Sequence, residues 1–454
     1  MGINKANQQH AHRLLQCLTV AVRPLRVSEL AEVLAVNFGA APGIETSMLR
    51  TDWRWEDQED AILSTCSSLI AVVNEYGDVP QVGEMSQSED ALRVAQGSHT
   101  HNSRTVQFSH FSVKEFLTSP RLVASRSDVS RFHILLEPAH TIMAMACLGT
   151  LLRLDDITDT DHIGDRFPLA RYAAEHWVTH AQFEDVSSYI RAGMRILFDP
   201  DKLYFPAWIR IYDIDVDPSN TSTFMWFSQK TSDAGPLYYA ALCGFRDLVE
   251  HLINKCSQGV NSIGGFYVSP LVAALEMEHF EVAESLCLHG AHVDVQGFYE
   301  CTPLYGASYS GHLEIVQWLL RHGASPNPRY QFDGWTPLHE VARNGYLEIA
   351  QTLLRHNADL TIKNYDGEMP LHVASRHGRT NVTRLLVEGV DVNARRKDGS
   401  TPLHLASMYG FIEIARVLIE HGASRNLEDN EERTPFQVAR GGDIAQLLSD
   451  YDSK

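Results

Sequence analysis

The sequence predicts a mostly α-helical protein in which a solenoid of stacked repeats follows a smaller α+β domain and a helical connector. The leading observation is a proline that recurs every 32 to 34 residues, at Pro236, Pro270, Pro303, Pro337, Pro370, Pro402 and Pro435. A constant period of about 33 residues is typical of architectures that stack one supersecondary unit per period. The chain has 454 residues, 44% hydrophobic and 21% charged, which suits two or three folded domains.

A helix-start signal surrounds the recurring prolines. Thr336 and Thr401 each precede a proline, and His339 and His404 lie three residues after these threonines. The threonine hydroxyl can cap the helix, proline at the first helical position sacrifices no hydrogen bond, and the histidine can bond back toward the cap. We therefore expect a short first helix to begin at the proline of each of six full units.

Each unit then has two further signals. The first helix ends at a glycine, and a second helix with one apolar stripe follows, as in residues 312–321. Three units depart from this pattern. Met369 cannot act as a side-chain cap, Glu278 occupies a helix-ending glycine position, and Gly389 comes one residue early. We expect the helix that starts after Met369 to be weaker by about 1 kcal/mol, and the early Gly389 explains the 32-residue interval.

These residues resemble the ankyrin repeat over residues 235–454, with six full units and a shortened polar cap at residues 435–451. The resemblance implies pairs of helices stacked into a solenoid, with loop fingers projecting to one side. In ankyrin proteins the finger tips and the exposed side of the first helices commonly contact a protein ligand. The resemblance therefore implies a partner-binding surface in this half of the chain.

Candidate partner-binding residues follow from this placement. Several expected finger tips carry aromatic rings, which turns seldom favour and which dominate many protein interfaces. The alternative is that some rings, such as Trp335, pack on a neighbouring finger; we favour binding for Tyr299 and Tyr330. The full candidate set is Phe266, Tyr267, Phe298, Tyr299, Tyr309, Tyr330, Phe332, Arg343, Tyr365, Arg376, Met408 and Tyr409.

The first half of the chain predicts an α+β domain at residues 10–125, after a polar tail at residues 1–9. Its signals are short helices at residues 13–22, 29–36, 56–68 and 111–117, and strands at residues 69–74 and 104–108. Three helices followed by a pair of strands suggest a winged helix. Residues 126–234 are expected to form a helical connector to the repeats.

Two phrases extend the resemblance to this half. Residues 23–34 (RPLRVSELAEVL) and 108–117 (FSHFSVKEFL) resemble the winged-helix domain that follows the nucleotide-binding NACHT domain in fungal NACHT–ankyrin proteins. Residues 169–177 (LARYAAEHW) resemble the helical connector of the same proteins. The resemblance implies a domain that packs within the chain and relays nucleotide state. The chain lacks the NACHT domain's phosphate-binding loop, because it contains no Gly-Lys dipeptide.

Charge argues against a nucleic-acid partner. The formal net charge is −19, with −10 on residues 1–233 and −9 on the remainder, so neither half is basic. The expected recognition segment of the winged helix is itself acidic, which opposes groove entry. We therefore expect protein partners rather than DNA or RNA.

Other motifs point away from catalysis and membranes. The chain carries no G-x-S-x-G and no H-E-x-x-H motif, and its histidines lack metal-ligand spacing, so we expect no enzyme activity, cofactor or metal. Seven scattered cysteines without a C-x-x-C pair indicate free thiols in a reducing compartment. No apolar stretch approaches the roughly 20 residues that cross a bilayer. We expect a cytoplasmic location, with the nucleus left open.

The function expected from the sequence is a non-enzymatic scaffold that binds a protein ligand through its repeats. The alternative is that the chain is the sensor or regulatory part of a nucleotide-driven NACHT-type signalling protein whose hydrolytic domain lies elsewhere. Composition and motifs leave both open. The identity of the ligand and the oligomeric state have no signal in the sequence.

Overall fold

The computed structural model describes residues 8–35, 69–74, 104–123, 130–154, 163–216, 234–255, 259–297 and 301–450. The chain divides into two compact units, Met1–Asp217 and Pro218–Lys454. Most described residues are helical. Within these ranges no helix has the length and apolar character that a membrane span requires. The predicted helix at residues 56–68 lies outside the described residues.

The first unit begins with two helices and a small sheet. Its elements up to residue 123 are α1 (Gln8–Val20), β1 (Leu25–Arg26), α2 (Val27–Ala35), β2 (Ile70–Asn74), β3 (Arg104–Phe108), α3 (Phe111–Thr118) and α4 (Pro120–Val123). The sheet has the order β1-β3-β2, and both pairings are antiparallel. Both strands that the sequence predicted are therefore confirmed, and a third strand, β1, joins them. The winged-helix assignment itself stays a prediction.

The rest of the first unit is helical. It contains a 3-10 turn at Ser130–Phe132, then α5 (Leu136–Leu151), α6 (Ile163–Arg166), α7 (Ala170–Ala181), α8 (Val186–Tyr189), α9 (Arg191–Leu197), α10 (Tyr204–Ile211) and a second 3-10 turn at Ile214–Val216. Helices α5 and α7 pack closely together, and α1 packs on α5. A cluster of fully buried rings, Trp177, Phe198 and Trp208, fills the core beside α7.

Buried carboxylates join the two predicted segments of the first unit. Glu32 of α2 accepts a hydrogen bond of 2.8 Å from the Leu169 N–H, and its other oxygen lies 3.1 Å from the Arg153 guanidinium. Glu29 pairs with Arg23, which lies over the ring of Tyr172. The winged-helix-like residues and the connector residues thus share one core, since a carboxylate of α2 bonds to Arg153 and to the N–H of Leu169, which immediately precedes α7.

The second unit stacks pairs of short helices. The pairs are α11 (Pro236–Leu242) with α12 (Arg246–Lys255), α13 (Pro270–Glu276) with α14 (Phe280–Leu288), α15 (Pro303–Ser310) with α16 (Leu313–Arg321), α17 (Pro337–Asn344) with α18 (Leu347–Arg355), α19 (Pro370–Arg376) with α20 (Thr380–Leu386), and α21 (Pro402–Tyr409) with α22 (Ile412–Glu420). Each first helix begins at the recurring proline, as the sequence predicts. Between the first and second repeats, and from the third repeat to the sixth, first helices pack on first helices of the neighbouring repeat and second helices on second helices.

The three departures from the repeat pattern have distinct structural outcomes. Glu278 adopts the left-handed conformation that glycine normally supplies, with φ of 58°. Met369 begins its helix without a side-chain cap, although the His372 ring still accepts a hydrogen bond from the Met369 N–H. Gly389 ends a 3-10 turn, Val387–Gly389, that shortens the second helix of its unit. The seventh unit is reduced to a turn at residues 435–438 and α23 (Gly442–Asp450).

Candidate binding surface

The loops between units form hydrogen-bonded fingers. Here a finger is the segment between the second helix of one unit and the first helix of the next, with its Asp-Gly turn at the tip. The Tyr365 N–H donates to the Asp333 carbonyl over 2.7 Å, and the Lys397 N–H donates to the Asp366 carbonyl over 3.0 Å. The Asn430 N–H repeats the contact on the Asp398 carbonyl over 2.9 Å. These bonds, called the finger ladder below, hold four successive fingers in register.

Basic side chains add further hydrogen bonds between neighbouring fingers. The Arg329 guanidinium donates to the Lys363 carbonyl over 2.7 Å, and the Lys363 ammonium donates to the Arg395 carbonyl over 3.1 Å. Arg395 in turn donates to the Glu428 carbonyl. Because each contact crosses from one finger to the next, the tips stand on a cross-braced platform rather than on independent loops.

Buried histidines join the units below the fingers. His339 Nδ1 accepts from the Thr336 N–H, and its Nε2–H donates to the Glu368 carbonyl of the next unit over 3.0 Å. His372 and His404 make the same connection to the Ala394 and Arg433 carbonyls. Burial lowers the pKa of His339 and of His372 to about 4, so both rings are neutral at physiological pH. The sequence predicted the bond to the cap but not the bond to the next unit.

Three of the sequence-predicted rings are exposed on the fingers and first helices. Phe332 is 62% exposed and Tyr365 49% exposed at adjacent finger tips, while Tyr409 at the end of α21 is 46% exposed. Arg343 is exposed at the end of α17. Phe266, Tyr309, Arg376 and Met408 are half-buried. Phe298 and Tyr299 lie outside the described residues.

Two of the predicted tip residues lie in the core. Tyr330 is buried and its ring stacks on Tyr305, with the centroids 5.1 Å apart. Tyr267 is also buried, and its N–H donates to the Tyr238 hydroxyl. Both positions correct the expectation that these rings project from the fingers, because each lies beneath its turn against the first helix of the preceding unit. Trp335 is buried as well, in line with the packing alternative stated for it.

A row of residues that the sequence reasoning missed completes the surface. In three repeats the residue after the helix-ending glycine reaches back over the glycine of the preceding repeat: Tyr346 over Gly311, Arg379 over Gly345 and Phe411 over Gly378. Tyr346 and Arg379 are exposed, and Phe411 is half-buried. The signal was available, since these residues share one phase of the 33-residue period. We call the ends of the first helices together with this row the first-helix surface.

Three arginines meet on the first-helix surface around His377. Burial lowers the pKa of His377, and the charges of Arg376, Arg343 and Arg379 lower it further. The Arg379 Nε–H also donates to the Arg343 carbonyl over 2.9 Å. The main acidic partner here is Glu368, which is 1% exposed and pairs with both Arg376 and Arg396 at 3.1 and 2.8 Å. The surface thus combines exposed rings with clustered guanidinium groups.

The comparison with family models agrees with this architecture. A family model described as ankyrin repeats in three copies matches residues 237–330, 325–396 and 371–454. The second half of this chain consists of ankyrin repeats. A solved structure, the ankyrin repeat domain of Bcl-3, a unique member of the IkappaB protein family, is similar with 26% identity and a TM-score of 0.45. It covers 48% of this chain and matches over 100% of its own length.

A curated fungal protein is also similar. Azaphilone pigments biosynthesis cluster protein L of Monascus ruber is 30% identical over 299 residues, which cover 62% of this chain and 55% of the relative. The chain therefore spans about half the length of this curated relative. The match is longer than the ankyrin repeats and so includes part of the first unit. The resemblance of the first unit to NACHT–ankyrin proteins stays a prediction.

Proposed function

We propose that this protein is a non-enzymatic scaffold that binds a protein ligand through the fingers and the first-helix surface of its ankyrin repeats. The observation that carries the proposal is the exposure of three large rings, Phe332 and Tyr365 on the hydrogen-bonded fingers and Tyr409 at the end of α21. Large rings supply much of the binding energy at protein interfaces. A braced platform lowers the entropic cost of association, because little backbone has to be ordered when the ligand binds.

The buried thiols among the described residues are poorly suited to act as nucleophiles. Burial raises the pKa of Cys17 to about 12 and raises the pKa values of Cys147, Cys243 and Cys301 above the usual thiol range. A nucleophilic cysteine requires the thiolate and an accessible position. Within the described ranges, no group of three His, Cys, Asp or Glu side chains could hold a metal ion.

The proposal is tested by affinity capture with the full chain as bait. The variant Phe332→Ala/Tyr365→Ala/Tyr409→Ala removes three exposed rings, and we expect it to recover at least tenfold less of the specifically captured proteins. The matched control, Leu288→Ala/Arg321→Ala/Arg355→Ala, truncates three exposed side chains at the ends of second helices. Thermal unfolding of all three proteins checks that the fold is kept. Equal recovery by the ring variant and the parent chain would refute the proposal.

A further inference from the structure

The charge of the repeats is unevenly distributed. Residues 234–320 carry a net charge of −7 and residues 398–454 a net charge of −5. Between them, residues 321–397 carry eleven Lys and Arg against eight Asp and Glu, a net charge of +3. The middle of the ankyrin stack is therefore a basic block within an acidic protein.

The fold brings part of this block together on the first-helix surface. Arg343 and Arg376 lie one repeat period apart at the ends of α17 and α19, and Arg379 follows the helix-ending Gly378. Stacking places all three guanidinium groups near His377, whose pKa each of them lowers. We call these three arginines the basic cluster.

The carboxylates beside the basic cluster neutralise it only in part. Glu368 pairs with Arg376 but shares its charge with Arg396. The nearest carboxylate contact of Arg343 is to one oxygen of Glu340 at 3.9 Å, while the other oxygen of Glu340 accepts a hydrogen bond of 2.7 Å from the Tyr305 hydroxyl. Arg379 makes no ion pair within the described ranges; its Nε–H donates to the Arg343 carbonyl. The exposed guanidinium groups of Arg343 and Arg379 therefore keep donors that an incoming anion can reach.

Aromatic rings flank the basic cluster on both sides along the stack. Tyr346, next to Arg343, is 36% exposed, and Tyr409 lies beyond Arg376 at the end of α21. Phe411 packs over Gly378, next to His377. Arginine pairs bidentately with carboxylates, and aromatic rings pack on apolar side chains. The surface can therefore bind acidic and apolar side chains of one ligand at the same time.

We infer that the basic cluster and its flanking rings bind an acidic segment of the partner protein, in which Asp or Glu side chains alternate with apolar or aromatic ones. This inference rests on the proposed function and specifies the chemistry of its ligand. Carboxylates of the segment pair with Arg343 and Arg379, and its apolar side chains pack on Tyr346 and Tyr409. The overall charge of −19 does not prevent this, because at physiological salt charges beyond about 8 Å are largely screened.

The inference is tested by selecting phage-displayed random 12-residue peptides on the full chain. We expect at least twofold enrichment of Asp and Glu over their frequency in the unselected library, together with aromatic or branched apolar residues. A fluorescent copy of the best peptide should bind Arg343→Gln/Arg379→Gln about tenfold more weakly than the parent chain. Its affinity for the parent chain should fall as NaCl rises from 50 to 300 mM.

Two controls separate the basic cluster from charge in general. Arg321→Gln/Arg355→Gln removes two exposed arginines of the same basic block from second helices, and it should leave peptide affinity within twofold of the parent chain. Arg343→Lys/Arg379→Lys keeps the charge but not the bidentate geometry, and should restore part of the affinity. Thermal unfolding checks that loss of the Arg379–Arg343 hydrogen bond leaves the stack folded.

Several results would overturn the inference. These are selected peptides without acidic enrichment, equal loss of affinity in the second-helix control, or binding of a phosphoserine peptide or single-stranded RNA in preference to the carboxylate peptide. Failure of the inference is distinguishable from failure of the proposed function. If affinity capture depends on the three rings but not on Arg343 and Arg379, the scaffold function stands and the acidic ligand is wrong.

Discussion

Arg379 crosses directly over Gly345, where an added Cβ atom would lie 2.9 Å from Arg379 Cδ. Phe411 has the same relationship to Gly378, with only 2.7 Å from the added Cβ to the ring. Each glycine therefore meets two needs at once: it permits a positive φ at the end of a first helix, and it leaves room for a side chain of the next unit. The first-helix surface is built on this arrangement.

Gly378→Ala should destabilise the ankyrin stack more than the same substitution at a helix-ending glycine that has open space around it. Alanine in the left-handed region costs about 1 kcal/mol at either position. At Gly378 the displaced Phe411 ring adds about 1–3 kcal/mol of overpacking. Gly422→Ala is the matched control, because Gly422 has φ of 89° but no neighbouring atom within 4 Å of an added Cβ. Urea unfolding measures both, and equal losses would contradict the packing role of Gly378.

Glu278→Gly should stabilise the protein by about 0.5–1 kcal/mol, because a glycine there removes the strain of a non-glycine residue with positive φ. Glu278 is exposed with φ of 58°, so the strain is relieved without loss of a core contact. Glu278→Ala is the control: it keeps the Cβ atom and should gain nothing. A lower midpoint of urea unfolding for the glycine variant than for the parent chain would refute this account.

Neutral histidines make the ankyrin stack sensitive to acid. The pKa of His372 is lowered to about 4 in the folded state, whereas the unfolded ring has a pKa near 6.5. The unfolded state therefore binds more protons between these values, and stability falls as the pH drops from about 6.5 toward 4. His339 behaves in the same way. Each ring should cost about 1 kcal/mol of stability between pH 7 and pH 5.5.

The contribution of His372 can be isolated with His372→Asn, which removes one titrating group. Urea unfolding from pH 7.5 to pH 5 should give a shallower dependence of stability on pH for this variant, whatever its absolute stability. His421→Asn is the control, because His421 is exposed and bonds only within its own unit. Parallel pH profiles for parent chain and His372→Asn would show that the ring is not held neutral by the fold.

Glu276 should make a contribution to the pH dependence of stability that is opposite in sign to that of the histidines. Burial raises its pKa to about 8, so the folded state binds the extra proton and stability is lost as the pH rises from about 4.5 to 8. Glu276→Gln is neutral at every pH and should be more stable than the parent chain by a few kcal/mol at pH 8.5, with the difference vanishing near pH 4. Glu281→Gln removes an exposed carboxylate of the next helix and serves as the matched control.

The periodic features of this fold were predictable, and the contacts between periods were not. Thr336, Pro337 and Gly345 act within one unit, so local rules suffice to predict their helix boundaries. Tyr330 was misjudged because its burial depends on the ring of Tyr305 in the preceding unit. Turn chemistry places an aromatic residue near a finger tip but does not decide on which side of the turn its ring packs.

Only part of the basic cluster could be predicted from the sequence. Arg343 and Arg376 are 33 residues apart and share a phase of the repeat, and both were candidates from the start. Arg379 was missed because it follows a helix-ending glycine, where the repeat pattern usually carries histidine. Its approach to Arg343 requires the stacked units, since the contact runs over Gly345 of the preceding unit.

In the first unit, Glu32 joins α2 to the helices that follow, and its removal should loosen both. Glu32 is 9% exposed, and Glu32→Ala leaves the Leu169 N–H and the Arg153 guanidinium without their partner. Breaking such a buried pair from one side costs about 3–5 kcal/mol. Hydrogen exchange should show the loss of stability first at the start of α7, where the amide of Leu169 loses protection.

A double-mutant cycle with Arg153 separates pairing from packing at Glu32. If the ion pair matters, Arg153→Ala should cost less in the Glu32→Ala background than in the parent chain, since the charge it satisfied is already gone. Glu175→Ala, a partly exposed carboxylate on α7, serves as the surface control. Additive losses would mean that the two side chains contribute independently, Glu32 without the ion pair and Arg153 by packing on the ring of Phe167.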